Sequence, residues 1–272
     1  MLSIRNLLKS FIYRNAALPA SEDFSKSAIV FSPHPDDETL GCGGTIIQKK
    51  QAGADVKIVI MTDGRHSHSS LISEQELIAI RSQEVIAAVH QLGVNEDDVF
   101  FLNYEDGKLN TQIDDAVGRV IDILKTHQPE EIYIPFLLET PKDHNATNII
   151  VSRALNHSIN HVDVFEYPVW FWSHWPWFSM PLSNRRDIFK RIKYNLISMH
   201  KMFSKFKYAN VIEHVLPKKR QALDQYKSQM TKLIQDDRWK TLGGVANGGF
   251  LDCFFQSKEL FYKYEVSGEK KV

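Results

Sequence analysis

From Ser27 onward the chain alternates short runs rich in β-branched and aromatic residues with longer amphipathic stretches. Strands are predicted at 28–32, 56–62, 99–103, 131–135 and 162–167, and helices at 39–52, 73–92, 113–127 and 145–160. Runs such as Ile58-Val59-Ile60-Met61 lack polar alternation, as strands buried on both faces do. This rhythm predicts an α/β fold, a Rossmann-like and mainly parallel sheet with helices on both faces. In such sheets ligands bind beyond the carboxyl ends of the strands.

The flanks differ. Near the start, Ile4, Leu7, Leu8, Phe11 and Ile12 share one helical face, away from Arg5, Lys9 and Arg14. This predicts a terminal helix, either packed on the domain or lying on a membrane surface or partner. The same basic residues interrupt the apolar runs too often for a secretory signal, and no stretch reads as a membrane span. After Tyr167 comes an aromatic segment with Trp170, Phe171, Trp172, Trp175, Trp177 and Phe178, broken by Pro168, Pro176 and Pro181. A basic stretch follows, in which Arg185, Arg186, Lys190, Arg191, Lys193, Lys201, Lys205 and Lys207 stand against Asp187. A helix at 218–235, a glycine-rich segment from Gly243 to Gly249 and an apolar run to Tyr264 complete the chain. The expected organisation is one domain over 1–272, with a core at about 27–167 and an aromatic insertion plus C-terminal helical extension at 168–272.

Lys+Arg and Asp+Glu are both 33, so no global field recruits nucleic acid. Two cysteines, Cys42 and Cys253, are too few for a disulfide framework and make a reducing, cytoplasmic setting the default.

The chemistry concentrates after the first core strand, in His34-Pro35-Asp36-Asp37-Glu38, followed by Gly41-Cys42-Gly43-Gly44. Three adjacent acids repel one another, and a bound cation removes that conflict. An acidic helix N-terminus explains the acids but not His34. A zinc site with a histidine and an aspartate from this loop needs a third protein ligand. His144 is the best candidate, just before a helix and at a sheet edge; His66 and His68 follow the strand at 56–62 and face the same side.

Five elements in order resemble the LmbE-like / PIG-L family of zinc-dependent N-deacetylases. They are Ser32-Pro33-His34-Pro35-Asp36-Asp37-Glu38 with its glycines, Thr62-Asp63-Gly64, Arg81-Ser82-Gln83-Glu84, Tyr104-Glu105-Asp106-Gly107-Lys108-Leu109, and Asp143-His144-Asn145-Ala146-Thr147-Asn148. The similarity runs from about Ile29 to His161. It implies His34, Asp37 and His144 as ligands of Zn2+ or another divalent metal, and Asp36 as the general base toward the attacking water. It also implies Arg81 as a substrate-contacting arginine, although an ion pair with Glu84 or a loop acid fits its spacing equally well.

One position departs from the pattern. Where the family often carries a histidine three residues before the distal ligand, this chain has Pro141. Asp36 would then handle both proton transfers, or His66, His68 or Lys142 would reach in, or the chain would keep the metal without activity. The expected reaction is removal of an acetyl group from an N-acetylglucosaminyl-type glycan, glycolipid or glycoconjugate. The alternatives are a metal amidase acting on a non-sugar amide and a degenerate carbohydrate-binding module. The expected partner is a small-molecule or lipid-linked N-acetylated sugar. Peripheral contact with the inner face of a membrane through the basic-aromatic segment, and assembly as a homo-oligomer, both stay open.

Overall fold

The computed structural model describes residues 4–21, 23–158, 161–173, 177 and 188–267. Trp175, Phe178, Arg185, Arg186 and Asp187 of the aromatic and basic stretches lie outside the described residues. The elements are α1 (Ile4–Asn15), β1 (Leu18–Pro19), β2 (Ala28–Ser32), α2 (Asp37–Gln51), β3 (Val56–Thr62), α3 (Glu74–Leu92), β4 (Val99–Tyr104) and α4 (Ile113–His127). They continue with β5 (Glu131–Pro135), α5 (Lys142–Ser158), β6 (His161–Tyr167), α6 (Ile188–Lys205), β7 (Tyr208–Val211), α7 (Leu216–Leu223), α8 (Lys227–Met230) and β8 (Lys258–Ser267).

One sheet runs in the order β1-β7-β8-β6-β5-β2-β3-β4. Pairing is parallel throughout β6-β5-β2-β3-β4 and between β1 and β7, whereas β8 is antiparallel to both its neighbours. Alternate residues of β2 and β3 feed two separate cores. Val30, Ile58 and Ile60 pack with Leu40, Ile46, Val85 and Val89 on the α2/α3 side. Ile29, Phe31, Val59 and Met61 pack with Val120, Leu124, Ile150 and Val151 on the α4/α5 side. The apolar runs of the sequence thus fill both faces.

The chain leaves β2 for β3 and β4 on one side, then returns to β5 on the other. This switch places the loops after β2 and β5 side by side, at the position where open α/β sheets bind ligands. Glycines let α2 approach closely there. A Cβ at Gly41 would collide with the Tyr167 ring, and one at Gly44 with Ile212.

The C-terminal part is not a helical extension, as the sequence suggests, because β7 and β8 join the sheet. Leu260 and Phe261 of β8 are buried in the core, and Glu259, also buried, accepts from the Gly44 and Thr45 N–H groups at 2.7 and 2.8 Å. Lys219 of α7 donates to the same carboxylate at 2.7 Å. The helix expected at 218–235 is broken after Leu223. In a continuous helix the Ser228 N–H would meet the Asp224 carbonyl, but here it donates to Glu84 of α3. Of the aromatic segment, Phe171, Trp172 and Trp177 are buried; Phe171 packs against Phe136 and Phe206. Among the described residues no helix is long and apolar enough to cross a membrane.

Candidate metal centre

Asp36 is the N-cap of α2 and holds φ at 126°, a value an L-residue rarely adopts. This turn lets two consecutive aspartates face different partners. The Asp37 carboxylate lies 3.1 Å from the His34 N–H and 3.2 Å from His34 Nδ1. Its Oδ2 is also 3.2 Å from His144 Nε2. Asp36 instead accepts from Arg81, whose Nη2 is 3.1 Å from Oδ2 and also donates to the Pro35 carbonyl.

His144 lies in the first turn of α5, beyond the carboxyl end of β5, which neighbours β2 and so brings it to the first loop. It is fully buried, and neither of its ring nitrogens has a hydrogen-bond partner. A buried imidazole in that condition needs an explanation. A cation between His34, Asp37 and His144 supplies one, since their donor atoms lie within 4.8 Å of one another. Two imidazoles and a carboxylate suit zinc and leave a position open. On this test the residues present fit a divalent metal.

Around this triad stand acids that sequence reasoning did not single out as site residues. His34 Nε2 is 3.3 Å from Asp106 and 3.4 Å from Asp143, and Asp143 also accepts from the Gly107 and Leu109 N–H groups. A second cluster able to hold a cation, His34, Asp106 and Asp143, shares the same histidine. Glu139 lies 3.7 Å from His144 Nδ1 and accepts from the N–H groups of Val169, Trp170 and Phe171. Asp106 and Asp143 could have been found as acids inside quoted motifs. Glu139 carries no local signal.

The titration behaviour follows from burial and from these contacts. Burial opposes charge on His34, yet Asp106, Asp143 and Asp37 outweigh it and hold its pKa well above the ordinary value. Burial would likewise raise Asp37, but His144 and His34 hold it well below the usual carboxylate range. For Asp36 burial wins: with Asp37 and Glu38 beside it, its pKa is pushed well up against the pull of Arg81. Burial pushes Glu139 up to about 8, against three backbone donors.

Arg81 is buried and pairs with a loop acid, Asp36, as well as with the Pro35 carbonyl. His68 does not reach the centre; it stacks on Trp239 and its Nε2 meets the Lys240 carbonyl at 2.9 Å. His66 stands nearer: its N–H donates to Asp106, the residue that touches His34. Lys142 is exposed.

Residues 29–155 match the family described as GlcNAc-PI de-N-acetylase, PIG-L. An uncharacterized deacetylase of Escherichia coli K12, YaiS, is 28% identical over 120 residues, covering 44% of this chain and 60% of that protein. A probable N-acetyl-alpha-D-glucosaminyl L-malate deacetylase 2 of Bacillus cereus is 30% identical over 138 residues, covering 48% and 61%. The chain therefore spans about six-tenths of the length of these curated relatives. N,N'-diacetylchitobiose deacetylase from Pyrococcus horikoshii has the same fold, with a TM-score of 0.60 at 20% identity over 97% of this chain and 94% of that one.

Proposed function

We propose that the chain, whose residues 29–155 match the PIG-L family of de-N-acetylases, is a metal-dependent hydrolase of N-acetylated sugars, with zinc as its metal. The reaction would split the amide of an N-acetylglucosaminyl-type compound with water, giving acetate and a free amine. The observation that carries the reading is the buried His144, without hydrogen-bond partners, facing Asp37 and His34. The deacetylase relatives add the sugar.

In this reading His34, Asp37 and His144 hold the metal. When bound, it polarises the acetamide carbonyl and acidifies water. Asp36, held by Arg81 and not shared with the metal group, takes a proton from the attacking water. With Pro141 in place of a histidine, Asp36 returns that proton to the leaving nitrogen, so one carboxyl serves both transfers. Arg81 acts by fixing Asp36, and any contact it makes with substrate has to come from its remaining N–H groups.

The test is acetate release from N-acetylglucosamine conjugates and from acyl-amino acids, before chelation, after it, and after zinc is returned. Metal-dependent release from the sugars alone is expected. Turnover of acyl-amino acids instead would establish a non-sugar amidase. A zinc-loaded protein inert until Pro141→His is introduced would establish the degenerate binding module.

A lipid-linked sugar met at an anionic, cytoplasmic membrane face is the finer form of this proposal. Neither α1 nor α6 contains an acid, and the two pack through Phe11 and Phe203 at 5.4 Å. Leu7, Phe11, Leu196 and Ile197 are exposed there, and Leu137 and Leu138 on the loop that leads to His144. Apolar side chains on acid-free helices suit a negatively charged bilayer. Sedimentation with phosphatidylcholine/phosphatidylglycerol vesicles, lost in Leu7→Glu/Phe11→Glu, is the expected result. Vesicle binding that is absent, with a homo-oligomer dispersed by the same substitutions, would assign the face to a second copy.

A further inference from the structure

A buried glutamate of α2, Glu38, supports Asp36, a second, Glu84, stands one turn beyond the arginine that holds the Asp36 carboxylate, and both glutamates are gripped by one short segment outside the family-matching region. On the α2 side, Glu38 is fully buried and its Oε2 accepts the Asp36 N–H at 3.2 Å. Its Oε1 accepts the Tyr226 hydroxyl at 2.5 Å. On the α3 side, Arg81 holds the Asp36 carboxylate, and Glu84 follows it by one turn of the same helix. The Ser228 N–H and hydroxyl donate to the two Glu84 oxygens at 2.6 and 2.7 Å. Tyr226 and Ser228 are themselves fully buried, and Trp239 Nε1 locks the segment by donating to the Ser228 carbonyl at 2.9 Å.

We propose that Tyr226 is a positioning residue for the reaction: it clamps Glu38 and through it holds Asp36 in its strained backbone turn, while Ser228 anchors the same segment to Glu84 on the helix that carries Arg81. Two independent features support this assignment. The Asp36 backbone sits at φ 126°, a conformation that persists only where its surroundings over-determine it. The same segment also gives up helical continuity to make these contacts, since the Ser228 N–H goes to Glu84 and α7 ends at Leu223. A segment serving only to fill space would present apolar groups. This one delivers three hydrogen-bond donors to two buried carboxylates.

The proposal rests on Asp36 as the base, so its test carries one measurement that needs no substrate. Tyr226→Phe removes a single oxygen. In that variant, amide exchange across residues 33–40 is expected to rise about tenfold or more, while peptides from β3 and β4 exchange as in the wild type. Zinc stoichiometry should be unchanged. On a soluble N-acetylglucosamine conjugate, kcat should fall by about ten- to a hundredfold with KM nearly constant. In a Glu38→Gln background the same substitution should add little, because both act on one path. Ser228→Ala, a milder lesion, gives the same pattern more weakly by loosening the segment that carries Tyr226, and serves if Tyr226→Phe does not fold. Wild-type exchange over 33–40, or effects of Tyr226→Phe and Glu38→Gln that multiply fully, would overturn the clamp. A wild-type protein that releases no acetate while the exchange result holds would overturn the deacetylase reading and leave the clamp standing.

Discussion

Asp36→Asn is expected to bind zinc at the wild-type stoichiometry and to lose turnover by about two to four orders of magnitude, the range removed with a general acid or base. The substitution keeps the shape of the side chain and an oxygen for Arg81, and asparagine tolerates positive φ better than most residues. What it removes is the ability to accept a proton. If Asp36 serves both transfers, as proposed with Pro141 at that position, the loss should fall at the upper end of that range. The acid limb of the kcat pH profile, where activity falls as Asp36 takes up a proton, should then vanish. Metal analysis beside steady-state acetate release checks the result. An unchanged rate removes Asp36 from the mechanism, and lost zinc makes it a ligand.

Glu139→Ala should be the most damaging substitution for stability at the site. Two buried N–H groups, of Val169 and Phe171, and the half-buried one of Trp170 would lose their acceptor. At about 1–3 kcal/mol for each unsatisfied donor, the cost is about 3 kcal/mol or more. His144 would lose the carboxylate 3.7 Å from its Nδ1, and such outer partners of a metal-binding histidine are worth about 10–100-fold in affinity. Urea unfolding of the metal-free protein reads the first loss, and competitive zinc titration the second. Glu139→Gln keeps an acceptor for the turn, so it should recover much of the stability and less of the affinity. A stable Glu139→Ala that binds zinc normally would make this carboxyl incidental.

What could be read from the sequence, and what could not, divides by range. Strands such as β3 announce themselves because four consecutive apolar residues have no surface role. His34, Asp36 and Asp37 stand out because their clustering is local, and His144 because it follows a neighbouring strand of the same rhythm. Glu139 could not be seen: its partners are at 169–171, and an acid in a loop resembles any solvated one. Tyr226 and Ser228 were hidden inside an apparently regular helix, whose interruption is caused by Glu38 and Glu84 more than a hundred positions earlier. β8 was visible as an apolar run, but its place between β6 and β7 depends on pairings no local pattern encodes.

That place has a consequence for how the molecule can assemble. Among the described residues β7 pairs with β8 and β1, and β1 pairs with β7. The five parallel strands can associate along the chain in order, but the edge carrying β1 and β7 must wait for residues 258–267. Residues 18–19 therefore find their neighbours only after closure of a loop of some two hundred residues, the kind of contact that slows folding. Glu259 arrives with that same strand and reaches the Gly44 and Thr45 amides of the helix led by Asp37. The strand that completes the sheet edge thus also holds the middle of α2.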